Sequence, residues 1–241
     1  MKKRSLSLIL PCYNEAEHFR KSADWILNVL ENCGTQFEII FVEDCSKDNT
    51  KQIIENYLKN KKDDSLKVFY HNDNQGRGKT VCDGILKAKG DYVGFMDIDC
   101  EISPEYIPAF LNRLNEGYAV VNAERFYPVS AQSILRAMVS KLYSFLVRWI
   151  LKTNFTDTEA GFKFFNRKII LPLVHMTQDP GWFWDTEIML LSQRLGLKIS
   201  FISVLFKRRT DKTSTVKLWS DSFDYFKKLL EFKVKLKSIK S

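Results

Sequence analysis

Short apolar runs, each stopping at an acidic or turn-forming residue and separated by stretches of helical period, are the feature that most limits how this chain can fold. Ser5 to Leu10 is halted by Pro11, Phe37 to Val42 ends in Glu43-Asp44, and Leu66 to Tyr70 forms a third run. Such runs read as parallel strands buried on both faces of a sheet. Between them, Glu15 to Leu30 turns Phe19, Ala23, Ile26, Val29 and Leu30 to one side, and Asp48 to Leu58 does the same with Ile53, Ile54, Tyr57 and Leu58. The alternation continues with a helix over Gly78 to Lys89, a strand at Tyr92 to Met96, a helix after Pro104 and a strand at Ala119 to Ala123. This order predicts right-handed crossovers and an α/β fold with a doubly wound, mostly parallel central sheet flanked by helices. Ligands in such sheets sit beyond the carboxyl ends of strands, so the residues after each apolar run are the candidates for chemistry.

A chain of 241 residues is long enough for one substantial core, and one domain over 1–218 followed by a basic tail over 219–241 is expected. The net charge of +8 gathers at the ends, in Lys2, Lys3 and Arg4 and in Lys227, Lys228, Lys233, Lys235, Lys237 and Lys240. It favours anionic partners without choosing among nucleotides, phospholipids and nucleic acids. The five cysteines are odd in number and never in C-x-x-C spacing, which argues against a disulfide framework or a zinc site and for reduced thiols in the cytoplasm. No uncharged apolar run approaches the ~18 residues that span a bilayer, and the apolar stretch after Met1-Lys2-Lys3-Arg4 is too short for a signal peptide.

Two segments bear on membrane contact. Residues 131–151 align Ile134, Met138, Leu142, Phe145 and Trp149 beside a stripe with Arg136 and Arg148, which suits either a helix in a membrane interface or one packed on the domain. Residues 222–241 set Phe223, Phe226, Leu230 and Val234 among lysines, which suits either an anionic-lipid anchor worth ~1 kcal/mol per basic residue near the surface or a solvated terminal helix.

The strongest local signal is Asp97-Ile98-Asp99, directly after the run Tyr92 to Met96. Two carboxylates one residue apart at a strand end can converge on Mg²⁺ or Mn²⁺ together with diphosphate oxygens, and Glu101 could add another oxygen. Asp44 follows the second strand, where an acceptor-only carboxylate could take the N–H of a uracil or guanine ring. Asp48 reads as a cap of the next helix. Pro11, Tyr13, Asn14 and Glu15 end the first strand and could line the same base pocket, with Asn14 as a plain N-cap the competing account. Gln75-Gly76-Arg77-Gly78-Lys79 opens a helix with two glycines and two cations, which suits phosphate contact through Arg77 and Lys79 but lacks P-loop spacing. His18, His71 and His175 share no spacing and read as surface or packing residues.

Leu10-Pro11-Cys12-Tyr13-Asn14-Glu15, Val42-Glu43-Asp44-Cys45-Ser46-Lys47-Asp48-Asn49-Thr50, Gly90-Asp91 and Met96-Asp97-Ile98-Asp99 together resemble glycosyltransferase family 2, and within it the polyprenyl-phosphate (dolichyl-phosphate) mannosyl- and glucosyltransferase group. The resemblance runs on through Asp157 to Lys163, Gly181 to Glu187, Arg208-Arg209 and Lys212-Thr213-Ser214. It implies a GT-A fold and a metal-dependent hexosyltransferase. Asp44 would hold the base, Asp97 the ribose or metal, Asp99 the metal, and Glu101 a further metal contact. Arg125, Arg136, Lys163 and Arg209 would meet the donor diphosphate or acceptor phosphate. Glu43 in place of a first Asp, Asn122-Ala123-Glu124 before Arg125, and Thr215 in place of a closing Lys depart from the family pattern.

The implied reaction is an inverting displacement on a UDP- or GDP-linked hexose, with a polyprenyl phosphate or another membrane-lipid acceptor and Mg²⁺ or Mn²⁺ as cofactor. If the acceptor were a sugar hydroxyl, a general base would be needed, and Asp185 occupies the place of the catalytic Asp of hydroxyl-directed relatives. Glu187 reads as a helix N-terminal residue. The expected setting is the cytoplasmic face of a membrane, with peripheral contact to anionic lipid, no nucleic acid, and room for a homo-oligomer. A non-catalytic membrane- or polyanion-binding module is the alternative from another class. No Gly-x-Ser-x-Gly elbow supports a hydrolase.

Overall fold

The computed structural model describes residues 4–127, 153, 155–208 and 218–238. The interface-helix segment 131–151, Arg136, Arg209, Lys212 to Ser214 and Thr215 lie outside the described residues.

A seven-stranded sheet in the order β3-β2-β1-β4-β6-β5-β7 forms the centre. Its strands are β1 (Leu6–Cys12), β2 (Phe37–Glu43), β3 (Leu66–Tyr70), β4 (Tyr92–Met96), β5 (Val120–Phe126), β6 (Phe162–Asn166) and β7 (Ile199–Leu205). All pairings are parallel except those of β6, which runs against both β4 and β5. The mostly parallel, doubly wound α/β expectation therefore holds.

The continuous apolar character of β1 and β2 follows from burial on both sides. Leu6, Leu8, Leu10, Ile39 and Phe41 join one core, under α1 (Phe19–Asn32), α2 (Thr50–Lys61) and α4 (Ile107–Asn115). Ile9, Ile40 and Val42 join a second core on the opposite face, under α3 (Arg77–Lys87), α5 (Arg167–Val174) and α6 (Trp184–Arg194). Alternate residues along a strand point to opposite faces, so one run supplies both cores. In α1 the buried stripe is Phe19, Ala23, Ile26, Leu27 and Leu30, as the period predicts apart from Val29, which is only partly buried.

α1 begins at Phe19 rather than Glu15 because the preceding amides are taken elsewhere: Glu15 N donates to Thr50 Oγ1 at 2.7 Å and Ala16 N to Asp48 Oδ2 at 3.1 Å. Asn14 is accordingly not the cap of α1.

The terminal helix α7 (Leu218–Ser238) docks on the second core. Leu229 and Phe232 are buried, and Phe183 meets Tyr225 at 4.9 Å and Phe232 at 5.8 Å between ring centroids. Lys228 pairs with Asp179 at 2.5 Å, and Lys235 reaches Glu187 at 3.3 Å. Leu229 and Phe232 face the core, while Leu230 and Val234, from the apolar stripe set among lysines, are exposed. A helix with apolar residues on both flanks lets neighbouring packing choose the stripe. Among the described residues no helix is long and apolar enough to cross a membrane.

Phe232→Ala is expected to destabilise the whole domain by about 3–5 kcal/mol, the range for emptying a buried phenylalanine site. Urea unfolding followed by near-UV circular dichroism checks this, and an unmoved midpoint would mean that the helix does not belong to the core.

Candidate active site

The chain runs from β1 outward through β2 and β3, then returns to place β4 on the other side of β1. The carboxyl ends of β1, β2 and β4 therefore surround the switch point of the sheet, the place where ligands bind in open α/β sheets. Each of these ends is followed by a non-glycine residue in the left-handed region: Asn14 at φ 56°, Cys45 at φ 56° and Cys100 at φ 55°. Such residues cost on the order of 1–3 kcal/mol each and persist only where surrounding bonds hold them. Here Asn14 Oδ1 accepts from Lys47 N at 2.8 Å, Asn14 N donates to Ser46 Oγ at 3.0 Å, and Asp48 joins Thr50 N to Ala16 N. Burial pushes the Asp48 carboxyl up, but hydrogen bonds from Thr50 and Ala16 outweigh it and hold the group below the usual carboxylate range. Pro11 and Tyr13 are half-buried beside this lacing, Asn14 is exposed and Glu15 is buried.

Asp44, immediately after β2, is buried and anchors the loop into α3. Its Oδ1 accepts from Gln75 N at 2.8 Å, its Oδ2 from Gly76 N at 3.0 Å, and His71 Nδ1 lies 2.7 Å from Oδ1. His71 Nε2 is in turn 3.1 Å from Asp83 Oδ2, and Asp83 pairs with Lys79. Two amides at the mouth of α3 are thus held by Asp44, and a third, Lys79 N, donates to Pro180 O at 3.0 Å. Gly78 is required by close approach: a Cβ there would stand 2.6 Å from both Gly181 O and Trp184 Cβ. His71 is the organising residue that sequence reasoning missed, because a lone histidine carries no spacing signal and only the fold puts it between two carboxylates. A hollow of about 230 Å³ on this side of α3 is lined by Lys79, Cys82, Asp83, His175, Thr177 and Pro180, and only Lys79 of these was a predicted site residue.

Beyond β4 lies a buried ionic cluster. Arg77, in the first turn of α3, donates from Nε to Asp97 Oδ1 at 2.8 Å and from Nη1 to Asp185 Oδ2 at 2.5 Å. Lys163, on β6 and fully buried, donates to Asp185 Oδ1 at 2.9 Å and to Ala160 O. Asp185, in the first turn of α6, is thereby gripped by two cations and has a side chain only 1% exposed. Burial pushes the Asp97 carboxyl up; Arg77 opposes the shift, whereas Asp99 and Asp185 add to it. Burial likewise pushes Lys163 down against the support of Asp185. Gly161 packs directly on the cluster, since a Cβ there would stand 1.9 Å from Asp97 Oδ2 and 2.6 Å from Arg77 Nη2.

Asp99 Oδ1 accepts from Glu101 N at 3.2 Å, which holds the turn after β4 closed, and Glu101 O accepts from Lys207 N at 2.9 Å. Among the described residues no group of three or more acidic, histidine or cysteine side chains gathers as a metal cage. A hard cation held mainly by substrate phosphates needs only one or two carboxylates, and the mutual repulsion of Asp97 and Asp99 is what such a cation relieves, so the pair fits Mg²⁺ or Mn²⁺.

Arg125 sits in a bidentate pair with Asp157, Nε to Oδ2 at 2.7 Å and Nη2 to Oδ1 at 3.0 Å, with Glu159 at 3.7 Å. Glu187, read from sequence as a helix-end residue, accepts from Gln178 N and Asp179 N at 2.9 Å and so ties the loop before α6 to the helix.

The family model described as glycosyl transferase family 2 matches residues 7–171. The chain belongs to glycosyltransferase family 2. Glycosyltransferase AglD of Haloferax volcanii is 28% identical over 211 residues, covering 86% of this chain and 34% of that protein. A dolichyl-phosphate beta-glucosyltransferase of Trichomonas vaginalis is 30% identical over 213 residues, covering 83% and 64%. The chain thus spans about a third of the first relative and just under two thirds of the second. The glucosyl-3-phosphoglycerate synthase of Mycobacterium tuberculosis, solved with UDP, superposes with a TM-score of 0.71 at 22% identity over 96% of this chain and 80% of its own. The same synthase has been solved with Mn²⁺ and with Mg²⁺. The mannosyl-3-phosphoglycerate synthase of Rubrobacter xylanophilus gives 0.74 at 17% over 99% and 77%. The fold of this family 2 chain is GT-A.

Within the site, Arg125 holds the Asp157 carboxyl below its ordinary value against the upward push of burial. A carboxylate whose folded value is depressed contributes stability above its unfolded value, about pH 4, and loses it as pH falls through the folded value. Asp157→Asn should therefore cost on the order of 3 kcal/mol at pH 7 and should show a shallower loss of stability than wild type below pH 4. Urea titrations across that range test it, and parallel acid profiles for the two proteins would refute it.

Proposed function

We propose that this family 2 chain transfers a hexose, with inversion, from a UDP- or GDP-linked donor to a polyprenyl phosphate. The observation that carries the reading is the juxtaposition, at the switch point of a GT-A sheet, of the Asp97-Asp99 pair with the Arg77, Lys163 and Asp185 cluster. The dolichyl-phosphate beta-glucosyltransferases of Trichomonas vaginalis, Dictyostelium discoideum and Drosophila melanogaster among its relatives support the acceptor class.

In this reading Asp97 and Asp99 would hold Mg²⁺ or Mn²⁺. The bound ion would neutralise charge on the departing nucleoside diphosphate. Pro11, Tyr13, Asn14, Glu15 and Asp44 flank the base, the last through the loop it anchors. Arg77, Lys79, Arg125, Arg136 and Arg209 supply positive charge for the diphosphate or the acceptor phosphate, while Lys163, buried against Asp185 and Ala160 O, acts on the site through Asp185. The acceptor oxygen attacks the anomeric carbon as the bond from that carbon to the diphosphate breaks.

Asp185 favours a phosphate acceptor over a hydroxyl. Both its oxygens are engaged by cations and its side chain is shut from solvent, so it orients Arg77 and Lys163 rather than standing open to take a proton. A phosphate oxygen, anionic near neutral pH, needs no protein base. Peripheral contact with anionic lipid is supported by the exposed Leu230 and Val234 beside Lys227.

UDP- and GDP-hexoses offered with a short polyprenyl phosphate and Mn²⁺ or Mg²⁺ should yield a glycosyl phospholipid by mass spectrometry, and Asp99→Ala should reduce turnover at least ~10²-fold. Undiminished turnover in that variant would remove the metal role. Absence of metal-dependent affinity for any nucleoside diphosphate in isothermal titration would leave only a binding module.

A further inference from the structure

His71 has a carboxylate at each of its ring nitrogens. Nδ1 lies 2.7 Å from Asp44 Oδ1, Nε2 lies 3.1 Å from Asp83 Oδ2, and the side chain is only 12% exposed. A neutral imidazole has one N–H and one bare acceptor nitrogen, so it satisfies one of these contacts and sets a lone pair against an oxygen at the other. Neither carboxylate is placed to supply the missing proton. Asp44 already accepts from Gln75 N and Gly76 N, and Asp83 faces the ammonium of Lys79. Only a ring with both protons satisfies the two contacts together. The other titratable groups around it are engaged elsewhere: Glu43 Oε1 accepts from Ser46 N at 2.6 Å, Cys45 Sγ donates to Asn72 O at 3.5 Å, and Asp73 accepts from Gln75 Nε2 at 2.7 Å. On α3, Cys82 Sγ meets Thr177 Oγ1 at 3.6 Å, and at the end of β3 the Tyr70 ring lies 5.0 Å from the Lys51 ammonium.

The stretch that Asp44 holds is the one leading into Arg77. Asn74 Nδ2 also donates to Asp44 O at 3.1 Å, and Gly76 sits at φ 88°, where a Cβ would stand 2.7 Å from Pro180 O. Arg77 comes next and reaches Asp97 with its guanidinium. We propose that His71, as an imidazolium, is a positioning residue for donor binding: it locks Asp44 in the orientation that fixes Gln75 and Gly76 and, through them, the start of α3. Side chains of alternating charge then run from Asp44 through His71 and Asp83 to Lys79. This rests on the reading of the site as one for a nucleotide sugar, and it names a residue that makes donor affinity depend on pH. Once the ring gives up its second proton, a lone pair faces Asp44 or Asp83 and the loop loosens. Affinity is therefore highest with His71 charged and falls as pH rises through its titration.

The experiment measures the affinity for UDP-glucose and GDP-mannose by isothermal titration with Mg²⁺, from about pH 6 to about pH 8.5, around the range in which a histidine changes charge. The proteins are the wild type, His71→Ala, His71→Asn and Asp83→Asn, with thermal unfolding to show that each is folded. The diphosphate of these donors keeps its charge throughout. With the donor that binds, wild-type affinity should fall about tenfold from the low to the high end of the range. His71→Ala should bind about tenfold more weakly than wild type at the low end and show no pH dependence, and His71→Asn, whose amide reaches the place of Nδ1, should recover part of the loss. Asp83→Asn should flatten the profile without loss of affinity, because an amide donating to Nε2 lets the neutral ring keep its N–H on Asp44. NMR shifts of the His71 ring nitrogens at the low end should show both protonated. A flat wild-type profile, a folded His71→Ala that binds like wild type, an Asp83→Asn profile like that of wild type, or a bare ring nitrogen at low pH would each overturn the inference while the nucleotide-sugar reading stands. A wild type that binds neither donor at any pH would sink that reading, and the donor-binding role of His71 with it.

Discussion

Arg77 is the residue on which the candidate site depends. Its guanidinium reaches Asp97 after β4 and Asp185 on α6 at once, and Asp185 is shared with Lys163 on β6. Two helices and two strands are therefore joined by charges of which Arg77, Lys163 and Asp185 are largely removed from water while Asp97 stays partly exposed. Removing one partner of such a network leaves a buried charge uncompensated, which is far more costly than the net worth of the intact network. The arrangement is better understood as a device for position than for stability. It sets the height of Asp97 relative to the sheet edge and keeps Lys163 inside the core, where a lone ammonium would not remain charged.

Around this centre the backbone is held in unfavourable conformations by local bonds. Asn14, Cys45 and Cys100 all adopt left-handed φ values just beyond strands that end at the switch point of the sheet. Asp48, Ser46 and Thr50 bind the first loop to the second, and Asp44 binds the second to the loop entering α3. Loops that would otherwise move independently become one rim, which suits a preorganised site.

The parallel strands were legible because a strand buried on both faces must be apolar throughout, and β3 and β4 appear at the very residues where the runs stand. β6 was not legible. Lys163 interrupts its pattern, and a lysine inside a strand is an ordinary signal of a solvent face unless the fold supplies Asp185 to receive it. The acidic pair Asp97 and Asp99 stood out from its position after an apolar run, but Arg77 as the partner of Asp97, twenty residues away, did not. The glycines around Arg77 suited a phosphate loop, whereas Gly78 answers to the backbone of Gly181.

Sequence by itself determined the fold class, the family and the carboxylates at the strand ends, because periodicity, turn chemistry and ordered motifs are local properties. Only the tertiary structure decided which charges meet: that Asp44 serves His71 and two backbone amides, that Arg125 serves Asp157, and that Asp185 is enclosed between Arg77 and Lys163. Ion pairs and hydrogen bonds between residues far apart in the chain depend on distances that no local pattern encodes, and burial then sets how strongly each partner is needed.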